Sequence, residues 1–246
     1  MGIQTSKSGV KIYDNFRENL IISRYDNQFV NMRGKKIECL KSSNSEDALT
    51  WNYFKSLREI NPEAWLPKLF EYSFGNGYNY PLDNIGIYLW KNISAPPSIT
   101  EIQKDEGDSE IDIIIESNQF VWFLEAKYTS DISLNTKNNE NRDQIIRNID
   151  VGSYYAGVKD FYFSLIYFDE NKSKLGIGKV AEYKNLKTAE LKKILPHRHD
   201  SLENIKGIGY LKWIDLFKNK IKINNPCEED IYDKLCDYIE NLGIRN

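Results

Sequence analysis

Hydrophobic and polar positions follow two different periods along this chain, and each change of period marks the start of a new element. Within residues 43–57, apolar side chains recur every three or four positions, which predicts an amphipathic helix. Ser43 or Ser45 can cap this helix, and Ser43 with Glu46 fits a capping box. We therefore expect a helix that packs one face onto the rest of the protein.

The same patterns predict further helices and strands downstream. Helices are expected at 62–74, 139–156, 188–195, 211–220 and 228–242. Strands are expected at 85–90, 99–103, 110–115, 120–128 and 161–168. The glycine-containing segments LGIGK (175–179) and GIG (207–209) are interpreted as turns. Helices before, between and after strands favour the α/β class. We expect an N-terminal segment (1–42), a core (43–170) and a basic, mainly helical C-terminal extension (171–246) of the same globular unit.

Charged residues interrupt the most apolar pair of predicted strands. Asp112, Glu125 and Lys127 lie among Ile, Val, Phe and Trp side chains, where a charge needs a partner or a metal. A two- or four-residue connection would place Asp112 opposite Phe123 and diagonal to Glu125, about 7–8 Å away. The three charged residues would then share one face. A three-residue turn would separate the two acids onto opposite faces.

A shared face gives these residues a chemical use. Two close carboxylates repel each other unless a cation lies between them. Mg²⁺ suits the oxygens of Asp112 and Glu125, the neighbouring carbonyl of Ala126 and several waters. Such an ion activates water and stabilises a leaving oxygen, while Lys127 could orient that water or offset charge on a phosphate. The alternative is an acid–lysine cluster at the wet edge of a sheet.

The order of these motifs resembles the PD-(D/E)xK nuclease superfamily, which includes many restriction endonucleases. Asp112 matches the isolated acid and Glu125-Ala126-Lys127 matches the ExK element. The proline that often precedes the acid is missing, and Glu110 has the same strand parity, so Glu110 is a rival for the first acid. The resemblance implies a restriction-endonuclease-like mixed β-sheet flanked by helices, with helical additions at the C-terminus.

The resemblance extends to the helices on either side of the hairpin. Glu46 matches an extra acid of a bacterial subgroup and would be a further metal ligand, although an acid in a first helical turn also stabilises the helix by itself. Gln144 matches a glutamine that often follows ExK, and Arg147 or Asn148 could contact phosphate from the same side. A solvated helix face would explain these last three residues equally well. The resemblance covers about 43–168.

Composition narrows the remaining classes of function. The three cysteines form no CxxC pair, which disfavours a disulfide framework or a zinc finger. The two histidines, His197 and His199, are predicted to lie in a polar loop, and their scarcity argues against histidine-dependent hydrolases. Net charge is −3, yet twelve lysines and Arg198 face only five acids between Lys172 and Lys222. That stretch is either a solvated helix face or a surface for a nucleic-acid backbone.

These expectations point to a Mg²⁺-dependent endonuclease that hydrolyses phosphodiester bonds in DNA, in restriction or another defence. Mn²⁺ should substitute for Mg²⁺, RNA is left open as a substrate, and a cytoplasmic homodimer with no membrane partner is expected. One alternative is a catalytically silent nucleic-acid-binding or sensing module of the same fold. A glycosidase with two paired acids is a third interpretation, and it would need no metal.

Overall fold

The computed structural model describes residues 3–7, 9–104, 106–135, 139, 142–218 and 220–242. The chain divides into two compact units, of which the first comprises Met1–Trp65 with Phe217–Asn246 and the second Leu66–Leu216. This division crosses the segment 43–170, whose first part lies in the first unit.

The described residues form, in chain order, β1 (Ile3–Thr5), β2 (Lys11–Tyr13), α1 (Gly34–Leu40), α2 (Glu46–Arg58), α3 (Leu66–Phe74), β3 (Gly86–Ser94), β4 (Asp108–Glu116), β5 (Phe120–Ala126), α4 (Gln144–Ala156), β6 (Asp160–Tyr167), α5 (Lys174–Lys184), α6 (Thr188–Ile194), β7 (Ile205–Lys212), α7 (Trp213–Lys218) and α8 (Pro226–Asn241). Within these residues, no helix is both long and apolar enough to cross a bilayer.

The first unit is organised around α2, which packs against α1 and α8. Ser45 caps this helix by accepting a hydrogen bond from the Ala48 N–H at 3.1 Å, so Ser45 rather than Ser43 is the cap. Asn52, buried in the middle of α2, accepts from the Ile21 N–H at 3.0 Å and donates to the Asn19 carbonyl at 2.9 Å. These bonds fix an irregular segment of the chain against the helix.

The second unit contains a mixed sheet in which five described strands lie in the order β3-β4-β5-β6-β7. The first three strands form an antiparallel meander, and β5, β6 and β7 run parallel. Each parallel connection passes through helices, α4 between β5 and β6 and then α5 and α6 between β6 and β7. The predicted α/β class, with a mixed sheet flanked by helices, is confirmed.

Helices cover both faces of this sheet, and the large side chains of β5 alternate between the two faces. Phe123 points to the face that carries α4, where Gly152 lets the helix approach so closely that an added Cβ would lie 2.8 Å from Phe123. Trp122 points to the opposite face and packs against Phe74 of α3, with ring centroids 5.3 Å apart. The charged residues of β4 and β5 are therefore placed on one face or the other by strand parity.

One predicted element is wrong, and another begins later than predicted. Residues 99–103 do not form a strand, because Pro97–Glu101 is a 3-10 helix that begins at the second of two consecutive prolines. The helix predicted at 211–220 begins only at Trp213, since Leu211 and Lys212 are the end of β7.

The two glycine-containing segments interpreted as turns are also regular structure. LGIGK lies within α5 and GIG lies within β7. In β7 the glycines make room for α3, because a Cβ on Gly209 would lie 2.4 Å from the Ser73 carbonyl oxygen. Gly209 thus allows backbone to pack closely on backbone, and Gly207 makes room for the Phe74 ring.

Candidate functional site

The hairpin of β4 and β5 has a different register from the one predicted, but it keeps the same faces. Ile115 pairs with Trp122 rather than with Phe120, a shift of two residues. Because side chains alternate with a period of two, this shift leaves Asp112 and Glu125 on one face. The pairing ends at Ile113 with Leu124, and one further step in the same register would set Asp112 opposite Glu125.

Where the hydrogen-bonded ladder of β4 and β5 ends, the Asp112 side chain takes over as a hydrogen-bond acceptor for β5. Its Oδ2 accepts a hydrogen bond from the Ala126 N–H at 2.9 Å. In a continued ladder, that N–H would face Ile111 of β4. The half-buried Asp112 carboxylate is thereby held against the residue that follows Glu125.

The other neighbour of Asp112 is irregular as well. β3 pairs Leu89 with Ile113 and Lys91 with Ile111, but the intervening pair of Trp90 with Asp112 is missing from the ladder. Trp90 has a φ of 51°, a left-handed conformation that is strained for a residue with a Cβ. Such strain concentrates at functional positions, and here it lies beside Asp112.

Glu125 is the most buried charged group of the hairpin, with only 2% of its surface exposed. Three side chains donate hydrogen bonds to its carboxylate. Lys127 Nζ and Gln144 Nε2 reach Oε1 at 2.7 and 2.5 Å, and Asn148 Nδ2 reaches Oε2 at 2.8 Å. These donors replace the water that a buried carboxylate loses.

The start of α4 is fixed so that two of these donors face the sheet. Asp143 caps the helix by accepting from the Ile146 N–H at 3.0 Å, and its other oxygen accepts a hydrogen bond from the Tyr183 hydroxyl. Burial and this bond to Asp143 raise the pKa of Tyr183, so the hydroxyl stays a donor. Gln144 and Asn148, one turn apart, then present their amides on the same side of α4.

Gln144 also binds the segment that leaves the sheet after Lys127. Its backbone N–H donates to the Ser133 carbonyl at 2.9 Å, and its side-chain Oε1 accepts from the Ser133 N–H at 3.3 Å. One residue thus joins the Glu125 carboxylate, the beginning of α4 and the chain downstream of β5.

The other residues singled out from the sequence lie partly beside Glu125 and partly elsewhere. Glu46 is in the first turn of α2, in the first unit. Glu110 is exposed on β4, two residues before Asp112. Arg147 donates to the Asp108 carbonyl at 3.3 Å, and its Nε lies 3.6 Å from Glu106. Ala126 pairs with Ile166 of β6.

The oxygen ligands available here suit a hard cation that takes few ligands from the protein and completes its shell with water. Among the described residues, no group of three or more His, Cys, Asp or Glu side chains is arranged to hold a metal ion. Asp112 and Glu125 supply two carboxylates, and Mg²⁺ is commonly bound by one or two carboxylates, with waters and substrate phosphate completing its shell. The residues present therefore fit Mg²⁺ better than a metal that needs an all-protein cage.

A buried ionic cluster around the middle of α4 was not predicted from the sequence. Asp150, fully buried, accepts from Arg142 at 2.6 Å and Arg198 at 2.9 Å and forms a hydrogen bond with His197 at 2.8 Å. His197 and His199 lie in the loop predicted for them, but His197 is only 1% exposed and belongs to this cluster. Burial would raise the pKa of Asp150, but the His197 bond and the Arg142 and Arg198 charges bring it below its ordinary value.

Comparison with known proteins adds no relative to this picture. No family model, no curated protein and no solved structure matches the chain. The chemistry of the site therefore has to be inferred from its own residues.

Proposed function

We propose that this protein is a metal-dependent endonuclease of the PD-(D/E)xK type, which hydrolyses phosphodiester bonds in DNA in restriction or another defence. The observation that carries the proposal is the arrangement at the end of the β4–β5 ladder. There, the buried Glu125 carboxylate accepts hydrogen bonds from Lys127 and Gln144. The Asp112 carboxylate accepts one from the N–H of Ala126, which lies between Glu125 and Lys127. An acid, an ExK element and a later glutamine, distant in sequence, converge on one position.

Asp112 and Glu125 are the proposed ligands of Mg²⁺, with the Ala126 carbonyl as a third oxygen. The cation would activate the attacking water and stabilise the leaving oxygen of the phosphodiester. Gln144 and Asn148 keep the Glu125 carboxylate in a fixed orientation. Preorganised ligands of this kind lower the reorganisation required for catalysis.

Lys127 is the proposed electrostatic group for the phosphate. Its ammonium now donates to Glu125, and with a cation on that carboxylate its donors can turn to a phosphate oxygen or to the attacking water. The ammonium carries its charge on a flexible stem, so this change of partner needs no movement of β5.

The fold supports the same proposal. A meander of three strands, a helix that supplies a glutamine, and a parallel strand follow one another in the second unit, with helices on both faces of the sheet. The resemblance implies a mixed sheet with helices on both faces, and the second unit is compatible with it at that level. Double-strand cleavage would need two such sites, so a homodimer is the expected assembly.

A catalytically silent nucleic-acid-binding module is the second candidate. One observation favours it, namely that Lys127 already neutralises Glu125 at 2.7 Å, as in a purely structural ion pair. In that case the protein would bind DNA without a requirement for a divalent cation.

A gel assay separates the two candidates. Supercoiled plasmid and single-stranded DNA are incubated with Mg²⁺, Mn²⁺ or EDTA and with wild type, Asp112→Ala or the matched control Asp108→Ala, whose exposed side chain lies on the same strand. We expect cutting with either metal in the wild type and the control, and none in EDTA or with Asp112→Ala. Glu110→Ala tests the rival acid. DNA binding without cutting would favour the silent module.

A further inference from the structure

One loop of the first unit, residues 23–33, exposes two large apolar side chains to solvent. Tyr25 is 83% exposed and Val30 is 78% exposed. Phe29, which precedes Val30, is buried against Trp51 with ring centroids 4.4 Å apart. The loop is therefore anchored to the unit while it presents an aromatic ring outwards. Single exposed apolar residues are common on protein surfaces, so the evidence for a function lies in what surrounds Tyr25.

The charges around this loop are mainly positive. Residues 17–36 contain five lysines and arginines and only two acids. One of these acids, Asp26, is paired with Lys55, whose Nζ lies 2.8 Å from the Asp26 Oδ2. Within the part of the chain that the structure describes, three exposed cations form no ion pair, namely Arg24, Arg33 and Lys35. A polyanion is the partner that complements such a surface.

Arg17 brings a further cation to the Tyr25 ring itself. Its guanidinium carbon lies 5.3 Å from the centroid of the Tyr25 ring and 4.5 Å from that of the Phe16 ring. The Arg17 Nε is buried and forms no hydrogen bond with a described residue. The two rings attract this guanidinium without neutralising it. Tyr25 therefore combines an open aromatic surface with an uncompensated positive charge.

We propose that the loop of residues 23–33 binds single-stranded nucleic acid, with an unpaired base stacked on Tyr25 and phosphates bound by Arg24 and Arg33. Aromatic rings among cations bind a strand in this way without reading its sequence, because every base has a face that can stack. The inference goes beyond the proposed cleavage, since these residues belong to the first unit and the hairpin of β4 and β5 belongs to the second.

A base in a duplex has both faces covered by its neighbours, so the proposed stacking requires an unpaired base. The phosphate contacts make no such distinction, because both forms of nucleic acid carry the charged backbone. Loss of the Tyr25 ring should therefore affect the binding of a single strand and leave the binding of a duplex unchanged.

Fluorescence anisotropy in EDTA tests this, because binding is then measured without metal-dependent cleavage. Labelled oligothymidylate, oligouridylate and a DNA duplex are titrated with the full chain as wild type, Tyr25→Ala, Tyr25→Phe or Arg24→Ala. The matched control is Tyr72→Ala. Tyr72 is 40% exposed, and the Lys68 Nζ lies 4.9 Å from its ring centroid. Lys68 is paired with Glu71, so this second tyrosine has no uncompensated cation beside it.

We expect Tyr25→Ala to weaken binding of a single strand by about 5–100-fold, whereas Tyr25→Phe and Tyr72→Ala should bind like the wild type. Arg24→Ala should lower the slope of log affinity against log salt concentration by about 0.7, as for the loss of one phosphate contact on a single strand. The tighter of the two labelled strands would identify DNA or RNA as the ligand.

Three results would overturn the inference. The first is a wild type that binds no single strand, and the second is wild-type affinity for both strands in Tyr25→Ala. The third is an equal loss of single-strand and duplex binding in Tyr25→Ala, because a stacked unpaired base cannot account for it.

Discussion

Lys127 and Glu125 form an ion pair that is almost completely removed from water. Their charged atoms lie 2.7 Å apart, and Glu125 has two further donors from α4. Such a pair contributes little net stability by itself, because desolvation offsets most of the attraction. A lysine in this position is therefore better explained by an electrostatic role than by a contribution to the stability of the fold.

Under the proposed mechanism, Lys127→Ala should keep divalent-cation binding and lose cleavage by about 100-fold or more, because the proposed cation ligands stay while the proposed electrostatic group for the phosphate is removed. Single-turnover cleavage and cation titration on the same preparation measure the two effects separately. Lys159→Ala is the control, since that ammonium only donates to the Ser117 carbonyl. Cleavage at the wild-type rate in Lys127→Ala would remove the lysine from the mechanism.

For individual residues, the face of the sheet on which a side chain lies could be predicted from the sequence, whereas its contacts could not. Asp112 and Glu125 share a face, as expected, because a shift of two residues preserves parity. The left-handed Trp90 beside Asp112 could not be foreseen, since tryptophan has no preference for that conformation. The choice of Asn148 as a donor to Glu125 depends on where α4 crosses the sheet.

Among the elements, α4 has the strongest influence on the site, because it carries Gln144 and Asn148 and lies directly on β5 and β6. Its approach depends on Gly152, where an added Cβ would lie 2.2 Å from Phe161 and 2.8 Å from Phe123. The helix cannot accept a side chain there unless the helix or the two phenylalanine rings move. A small displacement would separate both amides from Glu125.

Gly152→Ala should lower the free energy of unfolding by about 1–3 kcal/mol, because overpacking forces the helix or the rings to shift. Gly178→Ala in α5 is the matched control, with no atom within 4 Å of the added Cβ. The control should gain about 0.5–1 kcal/mol from the better helix propensity of alanine. Urea unfolding measures both, and equal stability of the two variants would contradict the packing of α4.

The helices with a clear hydrophobic period in the sequence were the elements predicted best. Long periodic segments such as α2 and α8 were expected close to their observed positions. β7 was missed because its glycines, which α3 requires, resemble a turn when the partner is not visible. The 3-10 helix at Pro97–Glu101 was missed because Ile99 is a residue type that is enriched in strands.

Across the molecule, charge is distributed in buried clusters as well as on the surface. Asp150 links α4 to the segment around Arg198 through buried ion pairs. Part of the basic stretch is also paired, since Lys179 binds Glu182 at 2.8 Å and Lys212 binds Glu170 at 2.5 Å. Whether the remaining lysines contact DNA stays a prediction.

Asp150 should make the stability of the protein depend on acid pH. Its folded-state pKa lies below the ordinary value of 3.8, so its contribution is complete above about pH 4 and is lost as pH falls through the folded pKa. Asp150→Asn should lower stability at pH 7 by about 3–5 kcal/mol, because Arg142 and Arg198 lose their buried partner. The variant should also lose less on going from pH 5 to pH 3.

Urea unfolding at pH 7, 5 and 3 provides this comparison. The exposed Glu203→Gln is the control and should follow the wild-type profile. A profile for Asp150→Asn parallel to that of the wild type would show that the cluster does not control acid stability.

The proposed mechanism requires Asp112 and Glu125 to bind one divalent cation together. The most direct measurement is a Mn²⁺ titration followed by the electron paramagnetic resonance signal of free Mn²⁺, with wild type, Asp112→Asn, Glu125→Gln and the control Asp108→Asn. We predict a Mn²⁺ site in the wild type and the control that either site variant abolishes. Equal Mn²⁺ binding by all four proteins would contradict the account.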